Sequence, residues 1–235
     1  MWSYYGAKTN IIDLYPKQKH DLIIEPFAGT ARYALKYFDR NVLLVDKYDV
    51  IVDIWKYLQE CSVKDVLETP RFKFGERFDT HKFDCTAQMN FTSFVHGCGD
   101  SKPRTIPTKR KTIDRPNHVN FTLKRISENL HKIRHWKIEL GEYENIPNQT
   151  ATWFIDPPYQ FGGEAYAFSN KKIDYKKLAN WCVSRPGQII VCENIKANWL
   201  NFKPIIQQRG SIKKGTETIW SNMQTDYDNV QTSLF

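Results

Sequence analysis

The 235-residue chain is long enough to bury a sizeable core, and its 41% hydrophobic and 14% aromatic content excludes wholesale disorder. With 34 Lys+Arg against 26 Asp+Glu, the formal charge of +8 leans toward a polyanionic partner without making one specific. No apolar run reaches bilayer-spanning length and no basic-then-apolar leader opens the sequence, so the expectation is a cytoplasmic protein without membrane association.

In chain order, Leu22-Ile23-Ile24 reads as a buried strand leading into Glu25-Pro26-Phe27-Ala28-Gly29-Thr30. Ala31, Ala34, Leu35 and Phe38 then repeat at helical spacing. Val42 to Val45 form a second strand ending at Asp46, and Ile51, Ile54, Trp55 and Leu58 mark a second helix. This β-α-β-α opening predicts a parallel sheet with right-handed crossovers. The rhythm resumes at Lys137 to Leu140, Thr152 to Ile155 and Gln188 to Cys192, and Thr218-Ile219-Trp220 is expected to close the sheet near its edge.

Residues 66 to 120 show no strand-helix rhythm. Lys102 to Arg115 hold six basic residues and one acid, with Pro103, Pro107 and Pro116 discouraging regular structure. Leu123, Ile126, Leu130 and Ile133 form a helical stripe beyond them. We therefore expect a catalytic unit of 1–65 and 137–235, interrupted by a small insertion of helix and loop over 66–136. The five cysteines (Cys61, Cys85, Cys98, Cys182, Cys192) are scattered, form no CxxC and lack zinc spacing, which predicts unpaired thiols and no metal.

The sharpest signal is Asp156-Pro157-Pro158-Tyr159, directly after an apolar strand. That places it at the carboxyl end of the strand, where open α/β sheets bind ligands. An exocyclic amine of adenine is a poor nucleophile because its lone pair is delocalised into the ring. A carboxylate and a backbone carbonyl accepting its two N–H bonds would draw it out of conjugation and aim it at an electrophile. Asp156 offers the carboxylate and Pro157 the carbonyl, the prolines stiffen the chain, and Tyr159 offers a ring to stack on the base. The plainer reading is a rigid turn. Glu25 to Ala31 form a glycine-containing strand-to-helix turn that a nucleoside-bearing cofactor can approach closely, or one where Gly29 serves packing alone. Asp46 is placed to accept hydrogen bonds from a ribose diol, or else to cap the following helix or stand as a surface charge.

Together these motifs resemble the Dam-like, α-group DNA adenine-N6 methyltransferases, in particular the short bacteriophage forms, over nearly the whole chain. Tyr4-Tyr5-Gly6-Ala7-Lys8 is similar to the N-terminal cofactor motif of that family, Glu25 to Gly29 to its glycine loop, and Asp46 to its ribose-binding acid. Glu142 falls where the family has an acid near the cofactor's adenine, and Asp156 to Tyr159 match its catalytic motif. Cys192-Glu193-Asn194, Trp199-Leu200 and Glu217 to Trp220 are similar to later core segments. The chain departs from the pattern at Ala7 and Ala31, where glycines are common, and at Glu142, where Asp is usual.

The resemblance implies a Rossmann-like sheet binding S-adenosylmethionine and yielding S-adenosylhomocysteine. The cofactor contacts would be Tyr5, Gly6, Lys8, Glu25, Pro26, Phe27, Ala28, Gly29, Asp46, Glu142 and Asp156. The partner would be double-stranded DNA, met by a monomer or weak dimer in a bacterial or phage-infected cell. Lys102, Arg104, Lys109, Arg110, Lys111 and Arg115 are candidate phosphate contacts, or else a solvated loop. His96, Asn117, His118 and Asn120 have the chemistry of base readers. A duplex adenine must flip out to reach Asp156. Gln160 to Tyr166, with its glycine pair, is either a loop that closes over the base or an ordinary surface loop. Cytosine-N4 or RNA-adenine methylation and a non-catalytic DNA-binding relative are the alternatives. A nicotinamide oxidoreductase lacks its GxGxxG fingerprint here.

Overall fold

The computed structural model describes residues 1–208 and 215–223. They form an α/β fold whose single seven-stranded sheet is mostly parallel. The strands are β1 (Leu22–Glu25), β2 (Asn41–Asp46), β3 (Lys137–Leu140), β4 (Ala151–Ile155), β5 (Gly187–Asn194), β6 (Lys203–Gln208) and β7 (Gly215–Ser221), in the spatial order β3-β2-β1-β4-β5-β7-β6. β1 to β5 pair in parallel, and β7 runs antiparallel to both of its neighbours. Six α-helices accompany them: α1 (Arg32–Lys36), α2 (Asp49–Glu60), α3 (Val63–Leu67), α4 (Thr86–Val95), α5 (Asn117–Ser127) and α6 (Tyr175–Val183).

Alternation along the strands sends successive side chains to opposite faces. Ile23, Val42, Leu44, Phe154 and Ile190 face one core, with α2, α4 and α5. Ile24, Leu43, Val45, Trp153, Ile155 and Ile189 face the other, where α6 contributes Leu178 and Cys182. All five residues of β4 are buried, so it is the structural centre of the sheet. The reversal of strand order falls between β1 and β4. Their carboxyl ends therefore flank the crevice in which open sheets bind ligands.

The structure departs from the sequence expectations in four places. Thr218 to Trp220 lie in β7, near the edge as expected, but the edge itself is β6, a strand not foreseen, where Pro204 needs no ladder donor. α1 stops at Lys36, short of Phe38. The Leu123–Ile133 stripe breaks into α5 and a 3-10 turn at Leu130–Ile133, although all four stripe residues are buried. α4 had no sequence signature because Asn90 through Val95 are buried on every side, which erases the amphipathic period. Segment 66–136 also shares a core with the sheet: Phe91, Phe94, Leu123 and Ile126 pack in the same cluster as Ile54 and Trp55. No helix among the described residues is long and apolar enough to cross a membrane.

Candidate active site

A cavity of about 550 Å³ opens over the carboxyl ends of β1, β2 and β4. Every candidate cofactor residue lines it: Tyr5, Gly6, Lys8, Glu25, Pro26, Phe27, Ala28, Gly29, Asp46, Glu142 and Asp156. Of the catalytic four, Asp156 and Pro158 reach its wall. Pro157 is buried and, like Tyr159, does not line it, and the Tyr159 hydroxyl donates to Glu217.

The turn after β1 is shaped by two left-handed residues, Gly29 at φ 45° and Ala31 at φ 44°. Glycine takes that conformation freely, whereas it costs alanine roughly 1–2 kcal/mol. A glycine would take this second position without strain, and Ala31 carries that strain here. Asp46 locks the turn. Its Oδ2 accepts the Gly29 N–H at 3.0 Å and its Oδ1 accepts the Tyr48 N–H at 2.9 Å. Burial pushes the Asp46 carboxyl up to about 6, against the pull of those backbone donors. Asp46 thus ties the turn to the backbone leading into α2 while lining the cavity, but it is not the helix cap, a position that falls to Tyr48. Glu25 is 2% exposed and accepts the Ala34 N–H at 2.7 Å. Burial pushes its carboxyl up to about 8, so it is largely neutral at pH 7. Glu142 pairs with Lys47 at the rim.

Asp156 is held by Lys8, whose ammonium Nζ donates to Oδ1 at 2.7 Å and Oδ2 at 2.8 Å and also to the Gly6 carbonyl at 3.1 Å. Burial pushes the Asp156 carboxyl up, and the lysine opposes that rise. Burial alone would depress Lys8; Asp156 and Glu217 overcome it and hold the ammonium above the ordinary lysine range. The Tyr159 hydroxyl donates to Glu217, and its ring lies 4.8 Å from the Lys8 ammonium. Around the motif, the Tyr175 hydroxyl donates to the Pro158 carbonyl at 2.6 Å, and the Gln160 N–H donates to the buried Glu193.

The loop after the motif folds back on the N-terminal segment. The Tyr166 hydroxyl donates to the Tyr5 carbonyl at 3.3 Å, and the Tyr5 hydroxyl to the Gly162 carbonyl at 3.4 Å. Tyr166 and Phe168 wall the cavity. Gly163 is required by proximity, since a Cβ there would sit 2.5 Å from the Tyr159 carbonyl oxygen.

The basic segment divides. Lys102, Lys109, Arg110 and Arg115 are exposed. Arg104 is exposed too but pairs with Asp100 at 2.9 Å. Lys111 turns inward, donating to the Val95 carbonyl at 3.1 Å, and burial pushes its ammonium down. His96 is fully buried between the carbonyls of Lys111 and Pro70, so it is not free to read a base. Asn117, His118 and Asn120 are exposed, although the side-chain carbonyl of Asn120 already accepts from Arg71.

Sequence reasoning missed Glu217 as a partner of the motif, together with Tyr15, whose hydroxyl meets the same carboxylate at 2.7 Å. Both lie far from Asp156 in sequence, and only the pairing of β7 beside β5 brings Glu217 in. The chain matches no protein-family model and no curated protein.

Proposed function

We propose that the chain is a site-specific DNA methyltransferase acting on N6 of a flipped-out adenine in double-stranded DNA, with S-adenosylmethionine as methyl donor. The observation that carries this reading is Asp156: a lysine-paired carboxylate at the switch point of the sheet, opening onto the same cavity as the Gly29 turn and Asp46. The strand order supports it. A mostly parallel sheet whose order reverses between β1 and β4 is compatible with the Rossmann-like sheet that the resemblance implies.

The residues present fit the cofactor. The cavity is within the size range of small-molecule sites, the Gly29 turn admits close backbone approach, and each Asp46 oxygen keeps acceptor capacity for a ribose hydroxyl. Phe27 and Tyr143 offer aromatic surface for a nucleobase. When bound, S-adenosylmethionine supplies an electrophilic methyl group whose bond to sulfur breaks as a bond to the amino nitrogen forms.

The chain's own groups do the rest. Asp156 accepts one amino N–H and the Pro157 carbonyl the other, so the nitrogen lone pair leaves conjugation and points out of the ring plane. The Pro158 carbonyl is held by Tyr175, which fixes the backbone after Pro157; Pro157 itself does not line the cavity, so its carbonyl would meet the amine only once the base has entered. Asp156 takes the proton released by the methylated nitrogen and passes it to solvent. Because the Asp156 side chain is only 21% exposed, a stacked duplex adenine cannot reach it, and base flipping is required. Lys102, Lys109, Arg110 and Arg115 are the exposed cations that would meet phosphate.

The test is incubation with isotopically labelled cofactor and unmethylated DNA, followed by nucleoside analysis. Label in N6-methyladenine is expected. Label in N4-methylcytosine, or in RNA but not DNA, overturns the substrate assignment, and no transfer to either overturns the activity.

A further inference from the structure

Two carboxylates face one ammonium on the floor of the site. Lys8 Nζ sits 2.7 and 2.8 Å from the oxygens of Asp156 and 4.0 Å from Oε1 of Glu217. At 8% exposure Lys8 has little water to turn to if it leaves Asp156. Glu217 is fixed in place, because the hydroxyls of Tyr15 and Tyr159 both donate to its Oε1, at 2.7 and 2.5 Å. Those two bonds fill Oε1, the oxygen nearest Lys8, but a carboxylate has about four acceptor positions, so an arriving ammonium would be received by Oε2 or by displacing one phenol. Glu217 is thus an oriented anion aimed at a cation that it does not yet bond.

An ammonium straddling both oxygens of Asp156 occupies the edge that an incoming amino group needs. Displacing it without a second partner would leave a buried charge unpaired, at a cost of several kcal/mol per ion. A shift of about 1 Å brings Nζ within hydrogen-bonding distance of Glu217.

We propose that Glu217 is a positioning residue: it receives Lys8 when the target amino group arrives, so that Asp156 exchanges an ammonium for the amine while no charge is stranded. The proposal rests on the reading of Asp156 as the amine acceptor. The two carboxylates and one ammonium sum to a single negative charge, which suits the positive charge that develops on the amino nitrogen. With Glu217 neutral, the trio would sum to zero and Lys8 would stay pinned on Asp156.

Glu217→Gln keeps an oxygen for the two phenols and removes only the charge. Its kcat should fall about 30-fold with the KM for cofactor unchanged, a loss that Glu217→Asp partly restores. In a Lys8→Met background the same substitution should cost less than about 3-fold, because the ammonium through which Glu217 acts is gone. Losses that multiply independently, or an unchanged kcat in Glu217→Gln, overturn the proposal. A second readout needs no turnover. The 15N resonance of the Lys8 ammonium, followed in the full-length protein with millimolar adenosine as probe, should move in the wild type and stay put in Glu217→Gln. An unmoved wild-type resonance overturns the proposal even if methyl transfer is normal. Absence of methyl transfer to DNA removes the proposed activity, while the response of Lys8 to adenosine still decides whether it changes partner.

Discussion

Glu25→Gln isolates the electrostatic cost of the site. The side chain is 2% exposed and its Oε1 accepts the Ala34 N–H at 2.7 Å, a bond that the glutamine carbonyl can keep. Burial lifts the carboxyl from 4.5 to about 8; the Ala34 amide and Lys8 oppose that rise, and Asp156 adds to it. The folded state therefore holds the proton more tightly than the unfolded chain. Stability from this group is complete below pH 4.5, falls as pH rises, and is fully lost above about 8. At roughly 1.4 kcal/mol per pH unit, the loss is about 3 kcal/mol by pH 7 and about 5 kcal/mol at its limit. Glutamine does not titrate. Urea unfolding of both proteins from pH 5 to 9 should show the variant gaining on the wild type by about 4 kcal/mol, since part of the loss has already occurred at pH 5, and any constant offset cancels in the comparison. Parallel stability curves across the range would refute the argument.

Asp156→Ala should abolish methyl transfer while cofactor affinity stays within a few-fold; near-normal turnover would defeat the mechanism. Asp46→Ala should weaken cofactor binding by roughly 1–3 kcal/mol by calorimetry, since it removes an acceptor for ribose hydroxyls and loosens the Gly29 turn. Replacing Lys102, Lys109, Arg110 and Arg115 together should flatten the salt dependence of DNA binding, by about 0.9 in the log-log slope for each phosphate no longer neutralised. Lys111→Met should leave that slope unchanged, because its ammonium points at the Val95 carbonyl rather than at solvent. A slope that falls with Lys111 alone would restore it to the DNA-facing set.

Elements whose signal is local were legible. β1 to β5 are apolar runs with acids or turns at their ends, and α2 carries its stripe on one face, so both follow from periodicity. Glu25 to Gly29, Asp46, Glu142 and Asp156 were legible for a related reason: they sit at or just beyond strand ends, and strand ends of one sheet converge, whereas Tyr5, Gly6 and Lys8 reach the cavity from the segment before β1. What depends on distant packing was not. α4 is enclosed and shows no period. Lys111 and His96 have the composition of a DNA-facing loop, and only the fold determines that they turn inward. Glu217 enters through an antiparallel strand whose position inside the sheet the sequence does not disclose.

The site shows how three similar residues acquire different tasks through their partners. Glu25, Asp46 and Asp156 stand at the carboxyl ends of neighbouring strands, and burial pushes all three carboxyls up. Glu25 meets one described backbone donor and is pushed to about 8, so at neutral pH it serves as an uncharged cap for α1. Asp46 meets the Gly29 and Tyr48 amides, settles at about 6, and keeps enough negative charge to attract hydroxyl donors. Asp156 is pushed up by burial too, and the full ammonium it meets opposes that rise. A group meant to grip an amine must be ionised before the amine arrives and released from its counterion afterwards. Among the described residues, Asp156 is the one of the three that hydrogen-bonds an ammonium, and under the proposed exchange Glu217 is the second anion that would take that cation.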